Sequence, residues 1–425
     1  MTKAISADAA APSARAAAPE RAPAPTNRAA TTARTRANIL AAASRLFIER
    51  GFGAVSVRDI AAEAGLSHPG VAKHFASKDD LLLAVVDELA RPNEAWFADL
   101  EHGVDTFPEV ARHNATIEGY LPLFSTLAGE ATSDAHPAHE YFRERHSGIH
   151  VDAAAIFREA IEAGELPAAT DAIDESIRLA AAWDGLQLIS LYLPGRFDLP
   201  LVLQAHLDRL RGAAPPHGLV PSSPAGPPFD AEPVEGGYAP GRARRLQIVA
   251  DASTLFANRG FHATSLREIA EQVGIGKSTL LHHFSSKEEL LGAVIARRDA
   301  TIDIRSEFAI TGDPTEMLDG LVDSARLASR VEPGLIELYA VLSAEAAARS
   351  HPAHDYFERR FDWAIARFTA FFEAAAPVLR ADLDPAFEAL WLVALWDGLQ
   401  LQWLYDPSAV DIGDQLAAHL AQLAR

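Results

Sequence analysis

The chain has 425 residues, 38 Lys/Arg against 58 Asp/Glu, a formal charge of −20 and no cysteine. That length suits roughly two to four domains, and the lack of cysteine excludes disulfides and thiolate metal sites. No uninterrupted apolar stretch is long enough to cross a bilayer, so no membrane partner is expected, and the missing cysteine fits a cytoplasmic protein.

Residues 1–33 are rich in Ala, Pro, Ser and Thr and almost free of bulky apolar side chains. They read as a disordered tail that lacks the apolar middle of a secretory signal. Residues 34–82 read as a small helical domain. Ile39, Ala42, Ala43, Leu46 and Phe47 recur at helical spacing up to Gly51. A short second helix opens at Ser56, with Asp59 completing a capping box, and stops at Gly65, where a left-handed residue is wanted. A third is predicted from Ser67 through Pro69 to Phe75, and a fourth opens at Ser77 with Asp80.

Residues 83–211 read as further helices broken by Pro and Gly. Residues 212–241 are dense in Pro, Gly, Ser and Ala and read as a linker whose roughly thirty residues reach on the order of 90 Å when extended. The pattern then repeats. Gly51–Leu82 returns as Gly260–Leu291 at a constant offset, with Ser265, Glu268, Gly274, Phe284, Ser286 and Glu289 in matching places, giving a second small domain over 242–291. Residues 292–425 resemble 83–211: HPAHEYF at His136 matches HPAHDYF at His351, and WDGLQL at Trp183 matches the same string at Trp396. A period this long means two copies of a whole protein, not a solenoid.

Charge is divided unevenly. Residues 28–78 carry eight Lys/Arg against three Asp/Glu, and 242–287 carry seven against three. Two small basic patches on an acidic body suit polyanion contact through those patches alone. Gly274-Ile275-Gly276-Lys277-Ser278 imitates the end of a phosphate-binding loop, but Glu271 stands where that motif needs glycine and no strand precedes it, so nucleotide binding is rejected. Two short helices, a turn and a supporting helix on each side make a helix-turn-helix, whose later helix fits the major groove.

At these residues the chain resembles the TetR (tetracycline-repressor) family of bacterial regulators. The first copy supplies Ser56, Ile60-Ala61, Ala64-Gly65, His74-Phe75, Lys78 and Leu81. The second supplies Ser265, Ile269-Ala270, Gly274 after Val273, His283-Phe284, Lys287 and Leu290. The resemblance implies an all-α fold: two tandem copies of a helix-turn-helix head, each followed by a helical ligand-binding and dimerisation-like domain. It implies phosphate contacts from Ser56, Arg58, His74 and Lys78, and likewise from Ser265, Arg267, His283 and Lys287. Base reading would fall to His68, Pro69, Gly70 and Lys73, and to Lys277, Ser278, Thr279 and His282. Both copies depart from the family at the aromatic of the recognition helix, which is Ala72 in one and Leu281 in the other.

Candidate effector-lining residues are Tyr120, Phe124, Tyr141, Trp183 and Asp184 in the first half, and Tyr339, Phe357, Trp363, Trp396 and Asp397 in the second. A subset would line a mainly apolar cavity for a small-molecule effector. Asp184 with Gln187, and Asp397 with Gln400, lie one turn apart on apolar helices and need buried partners. No cofactor loop, catalytic triad or spaced acid pair stands out, so neither cofactor nor catalysis is expected.

The reading is therefore a ligand-responsive DNA-binding transcriptional regulator, a repressor by default. It acts as a single-chain pseudo-dimer on an imperfectly palindromic double-stranded operator, and a homodimer of tandem chains is a variant of it. One alternative is a metal-dependent helical enzyme built on His136/His139 and His351/His354 with Glu130 or Glu345, although His-Pro turns and helix caps favour a structural role for those histidines. The other is a co-regulator in which one head is inactive.

Overall fold

The computed structural model describes residues 27–97, 102–214, 216–221, 239–301, 313–331 and 333–424. The tail over 1–26 and most of the linker (215 and 222–238) lie outside them. The described residues are helical, apart from turns and an isolated bridge between Leu379 and Ala424.

The first head comprises α1 (Asn27–Ala54), α2 (Val57–Glu63), α3 (His68–Ala72) and the start of α4 (Lys78–Phe97). The part expected to be its sensor half continues with α5 (Thr106–Thr116), α6 (Tyr120–Glu130), α7 (His139–Glu162), α8 (Ala172–Tyr192) and α9 (Leu199–Leu210). The second head repeats this as α10 (Ala239–Ala263), α11 (Leu266–Val273), α12 (Lys277–His283) and α13 (Lys287–Thr301). Its sensor half comprises α14 (Pro314–Val331), α15 (Pro333–Glu345), α16 (His354–Ala375), α17 (Pro385–Tyr405) and α18 (Ile412–Leu423).

Two expectations shift at the edges. Residues 27–33 belong to α1 instead of the tail, because a run lacking bulky apolar groups still coils: its Ala and Arg are good helix formers, and 28–33 are exposed. The linker's ends are also ordered. Val220 is buried, Gly218 N donates to the Asp384 carboxylate at 3.1 Å, and α10 already begins at Ala239.

Each head closes as its sequence dictates. Ser56 and Ser265 form complete capping boxes with Asp59 and Glu268, so the first turns of α2 and α11 leave fewer N–H groups unpaired. Ile39, Phe47, Ile60, Val71, Phe75 and Leu81 close the first core, matched by Ile248, Phe256, Ile269, Leu280, Phe284 and Leu290 in the second. Gly51 and Gly260 both have φ of 76° inside what would otherwise be one helix, a left-handed backbone that bends the end of α1 and of α10.

The two sensor halves pack on each other. α8 crosses α17 most intimately, with α7 and α16 flanking them, so that four helices share one interior. The contacts are reciprocal. A Cβ on Gly185 would fall 2.0 Å from the Ala394 oxygen, and one on Gly398 would fall 1.8 Å from the Ala181 oxygen, where Gly398 and Ala394 are the counterparts of Gly185 and Ala181. Tyr192 Oη donates to the Ser343 carbonyl, and its counterpart Tyr405 Oη donates to the Ala128 carbonyl. Glycine lets the helix backbones approach, and each tyrosine then satisfies a buried acceptor of the other half.

Candidate DNA interface and its link to the sensor halves

The short helices α3 and α12 stand proud of their heads. His68, Pro69 and Lys73 are exposed and Gly70 is half-buried, while Val71 is the side chain that anchors α3 inward. In α12, Lys277, Ser278, Thr279 and His282 are exposed around buried Leu280. The proposed base readers therefore share an outward face in each head. Ala72 and Leu281, the positions lacking the family aromatic, are exposed there too.

The expected phosphate contacts divide. Ser56, Arg58, Ser265 and Arg267 are exposed at the head surface. The two serine hydroxyls are engaged in their capping boxes, and Arg267 Nε donates to Glu271 at 2.8 Å. His74 and His283 are half-buried at the ends of their helices.

Lys78 and Lys287 turn inward. Lys287 Nζ donates to the carbonyls of Phe261 at 2.9 Å and Thr264 at 3.0 Å, and lies 4.2 Å from the centre of the Phe261 ring. Lys78 sits 4.0 Å over Phe52 in the same way. Burial depresses both ammonium pKa values. Both lysines expected at the phosphates are thus half-buried, Lys78 on a ring at the bend of α1 and Lys287 on a ring and on carbonyls at the bend of α10.

Arg36 and Arg245 were not singled out in the sequence. They lie 4.4 Å and 3.9 Å from the ring centres of Phe75 and Phe284, and Arg245 also donates to the His283 carbonyl at the end of α12. Their signal was an arginine at the same place in both first helices.

Below each head sits a carboxylate from the sensor half. Glu130, at the end of α6, accepts from Phe52 N at 2.7 Å. Glu345, at the end of α15, accepts from Phe261 N and from His262 N, the latter at 2.7 Å. A Cβ on Gly51 would fall 2.0 Å from Glu130 Oε1, so the left-handed glycine also makes room for the acid. Burial, and next the neighbouring Glu345 charge, push Glu130 up to about 8, and burial pushes Glu345 up to about 7. These contacts tie each reader head to its sensor half.

The paired histidines separate. His139 and His354 bond the Ala131 and Ala346 carbonyls through Nδ1, each at 2.8 Å, and pack on the tyrosine that crosses from the other half. His136 and His351 turn towards Phe52 and Phe261. The compact group is instead His262, Glu345 and His351, whose ligand atoms lie within 4.8 Å of one another. His351 Nδ1 accepts from Ala353 N at 3.1 Å, which leaves the ring proton on Nε2. It therefore presents an N–H, not a lone pair, to Glu345 4.0 Å away, a poor fit to a cation.

The effector candidates fall into several places. Tyr120 stacks on Phe124, and Tyr141 meets Phe142 edge-on. Phe357 lies against Tyr192, while Trp396 lies near Phe368, and Trp183 and Trp363 are half-buried against the core. Asp184 pairs with His146 at 3.1 Å, and Asp397 accepts from Tyr339 Oη at 3.0 Å, itself bonded by Arg360 at 2.8 Å. Phe124, Asp184, Tyr339 and Asp397 meet at a cavity of about 30 Å³ between the two halves.

Two segments, 39–85 and 248–294, match the family model of bacterial regulatory proteins of the tetR family. Both segments are thus tetR-family regulatory domains, and the chain carries that domain twice in tandem. Among curated relatives it is similar to the HTH-type transcriptional activator FasR of Mycolicibacterium smegmatis, 36% identical over 91 residues, 21% of this chain and 42% of that protein. It is similar also to the HTH-type transcriptional repressor KstR2 of Rhodococcus jostii, 29% identical over 159 residues, 37% of this chain and 66% of that protein. The matches thus span less than two thirds of either relative. Among solved structures, the ketosteroid transcriptional regulator KstR2 of Mycobacterium tuberculosis matches 43% of this chain and 95% of its own at 26% identity and a TM-score of 0.36. No helix among the described residues is long and apolar enough to cross a membrane.

Proposed function

We propose that this protein is a ligand-responsive, DNA-binding transcriptional regulator, a repressor by default, that acts in the cytoplasm as a single-chain pseudo-dimer. Regulators of this kind need two reader heads roughly 34–36 Å apart, one turn of duplex. The observation that carries the reading is the reciprocal packing of Gly185 on Ala394 and Gly398 on Ala181, the self-complementary pattern of a two-fold interface inside one polypeptide. The exposed faces of α3 and α12 differ at almost every position, so the operator is an imperfect palindrome.

The effector is a small, largely apolar molecule. A space of about 30 Å³ between the halves holds little more than a water, so an effector entering there must part α6 from α15. Those helices carry Phe124 and Tyr339 at the cavity and Glu130 and Glu345 at the heads, so widening one end moves the other. Binding tighter to the parted state shifts the population away from the spacing that fits DNA.

Selection of bound fragments from a random duplex pool, followed by footprinting, tests the reading. The expected result is salt-sensitive enrichment of one site with two unlike half-sites. No preference for any duplex sequence would overturn the regulator reading, and two identical half-sites would overturn the division of labour between heads.

A further inference from the structure

Charged side chains lie buried where α8 and α9 meet α17 and α18. Glu175 and its counterpart Glu388 are both 0% exposed, and His206 and its counterpart His419 are almost as deeply enclosed. Two other positions do not match. Where the first half has Arg178 the second has Trp391, and where the first has Arg209 the second has Gln422. In this cluster each half supplies one carboxylate, and the first half supplies both guanidiniums.

Arg178 Nη2 donates to Glu175 Oε2 at 2.6 Å, and His206 Nε2 bonds Glu175 Oε1 at 2.8 Å. Arg209 Nη2 donates to His206 Nδ1 at 2.8 Å, which makes His206 a neutral ring with its proton on Nε2. Arg209 Nη1 then crosses to Glu388 Oε2 of the second half at 2.6 Å. In the mirrored place Gln422 Nε2 crosses back to Glu175 Oε2 at 3.0 Å, and Arg178 Nη1 reaches Gln415 Oε1 at 3.1 Å. Trp391 lies flat on His206, ring centres 3.8 Å apart. Arg380, the next cation near Glu388, is bound to Asp382 at 2.6 Å.

The two carboxylates sit in unequal company. Burial pushes both up, but for Glu175 the hydrogen bond from His206 and the Arg178 charge outweigh it and hold the group well below the ordinary range. Glu388 has Arg209 as its chief partner, and burial wins. Pairing two first halves would enclose two carboxylates with four guanidiniums. Pairing two second halves would enclose two carboxylates with none. Only first with second gives two of each, and an uncompensated buried charge is strongly destabilising.

We infer that Arg178 and Arg209, set against Trp391 and Gln422, dictate which halves pair: a first half accepts a second half and rejects a copy of itself. This rests on the pairing of halves within the proposed function. It makes like-with-like pairing of halves unfavourable and directs each half to a partner of the other kind.

The test uses full-length chains and no DNA. One variant carries Arg178→Trp with Arg209→Gln, giving both halves the second half's chemistry. The other carries Trp391→Arg with Gln422→Arg, giving both halves the first half's chemistry. Each alone is expected to melt on the order of 10 °C below the parent chain. Produced together in one cell, they are expected to form a one-to-one complex of twice the single-chain mass that melts near the parent. Parental melting of either variant alone overturns the inference. So does failure to recover a complex on co-production, including the case where both stay insoluble. Duplex selection can fail while this partner rule survives, and the reverse, so the two readings fall separately.

Discussion

Gly185 on α8 and Ala394 on α17 are so close that a β-carbon on the glycine would overlap the alanine carbonyl, and Gly398 repeats the arrangement on Ala181. The neighbour is backbone, not a flexible side chain, so neither helix can accommodate an added methyl without moving away. The sensor halves are held at a separation that glycine alone permits.

Gly185→Ala and Gly398→Ala should therefore each destabilise by about 2–3 kcal/mol or more, despite the better helix propensity of alanine. Thermal melting of the two variants checks this. An unchanged or raised melting temperature for either would mean that the crossing is looser than drawn.

The crossing tyrosines give a milder version of the same test. Tyr192→Phe and Tyr405→Phe each leave a buried carbonyl of the other half without its donor, at a cost of about 1–2 kcal/mol. The bonds involve different residues, so the double variant should lose the sum. Chemical denaturation of the single and double variants measures it.

The heads were legible because their signals are local. Ser56 and Asp59 are three residues apart, Gly51 is a left-handed break within one helix, and duplication repeated both signals at Ser265, Glu268 and Gly260. What escaped is long-range. Glu130 reaches Phe52 across 78 residues and Glu345 reaches Phe261 across 84, and no spacing rule connects such pairs. Lys78 and Lys287 looked like surface cations because charge pattern does not reveal that the Phe52 and Phe261 rings lie beside them at the bends. The Arg178/Trp391 mismatch was visible as a substitution between copies, but its meaning depends on α8 and α17 facing each other.

That inward turn of Lys287 separates two kinds of lysine in the second head. Lys277→Ala should lower the salt slope of DNA binding by about one while leaving the melting temperature unchanged, as expected for an exposed cation at the duplex. Lys287→Ala should do the opposite, removing the ammonium donor from the Phe261 and Thr264 carbonyls and costing about 1–2 kcal/mol of stability. Titrating binding over a range of salt, alongside melting, decides it. A reduced slope with unchanged melting for Lys287→Ala would return that lysine to the phosphate backbone.

The carboxyls under the heads make stability depend on pH in a window that can be isolated. Glu130 and Glu345 have folded pKa values raised to about 8 and about 7 from 4.5, so the folded chain holds protons that the unfolded chain has released. Their contribution is complete below the unfolded value and is lost as pH rises through the folded one. His136 and His351 act in the other direction. Burial lowers them to about 4 and about 3 from 6.5, so their contribution is full above 6.5 and is lost as pH falls. Below pH 6.5 the two effects oppose each other, whereas between 6.5 and 8 the carboxyls act without them. Over that interval the parent chain should lose on the order of 1 kcal/mol per pH unit relative to a Glu130→Gln, Glu345→Gln variant, whose amides still accept from Phe52 and Phe261 but cannot ionise. Denaturation curves of both chains at pH 6.5, 7.25 and 8 measure the difference, and parallel curves would mean that these acids stay ionised beneath the heads.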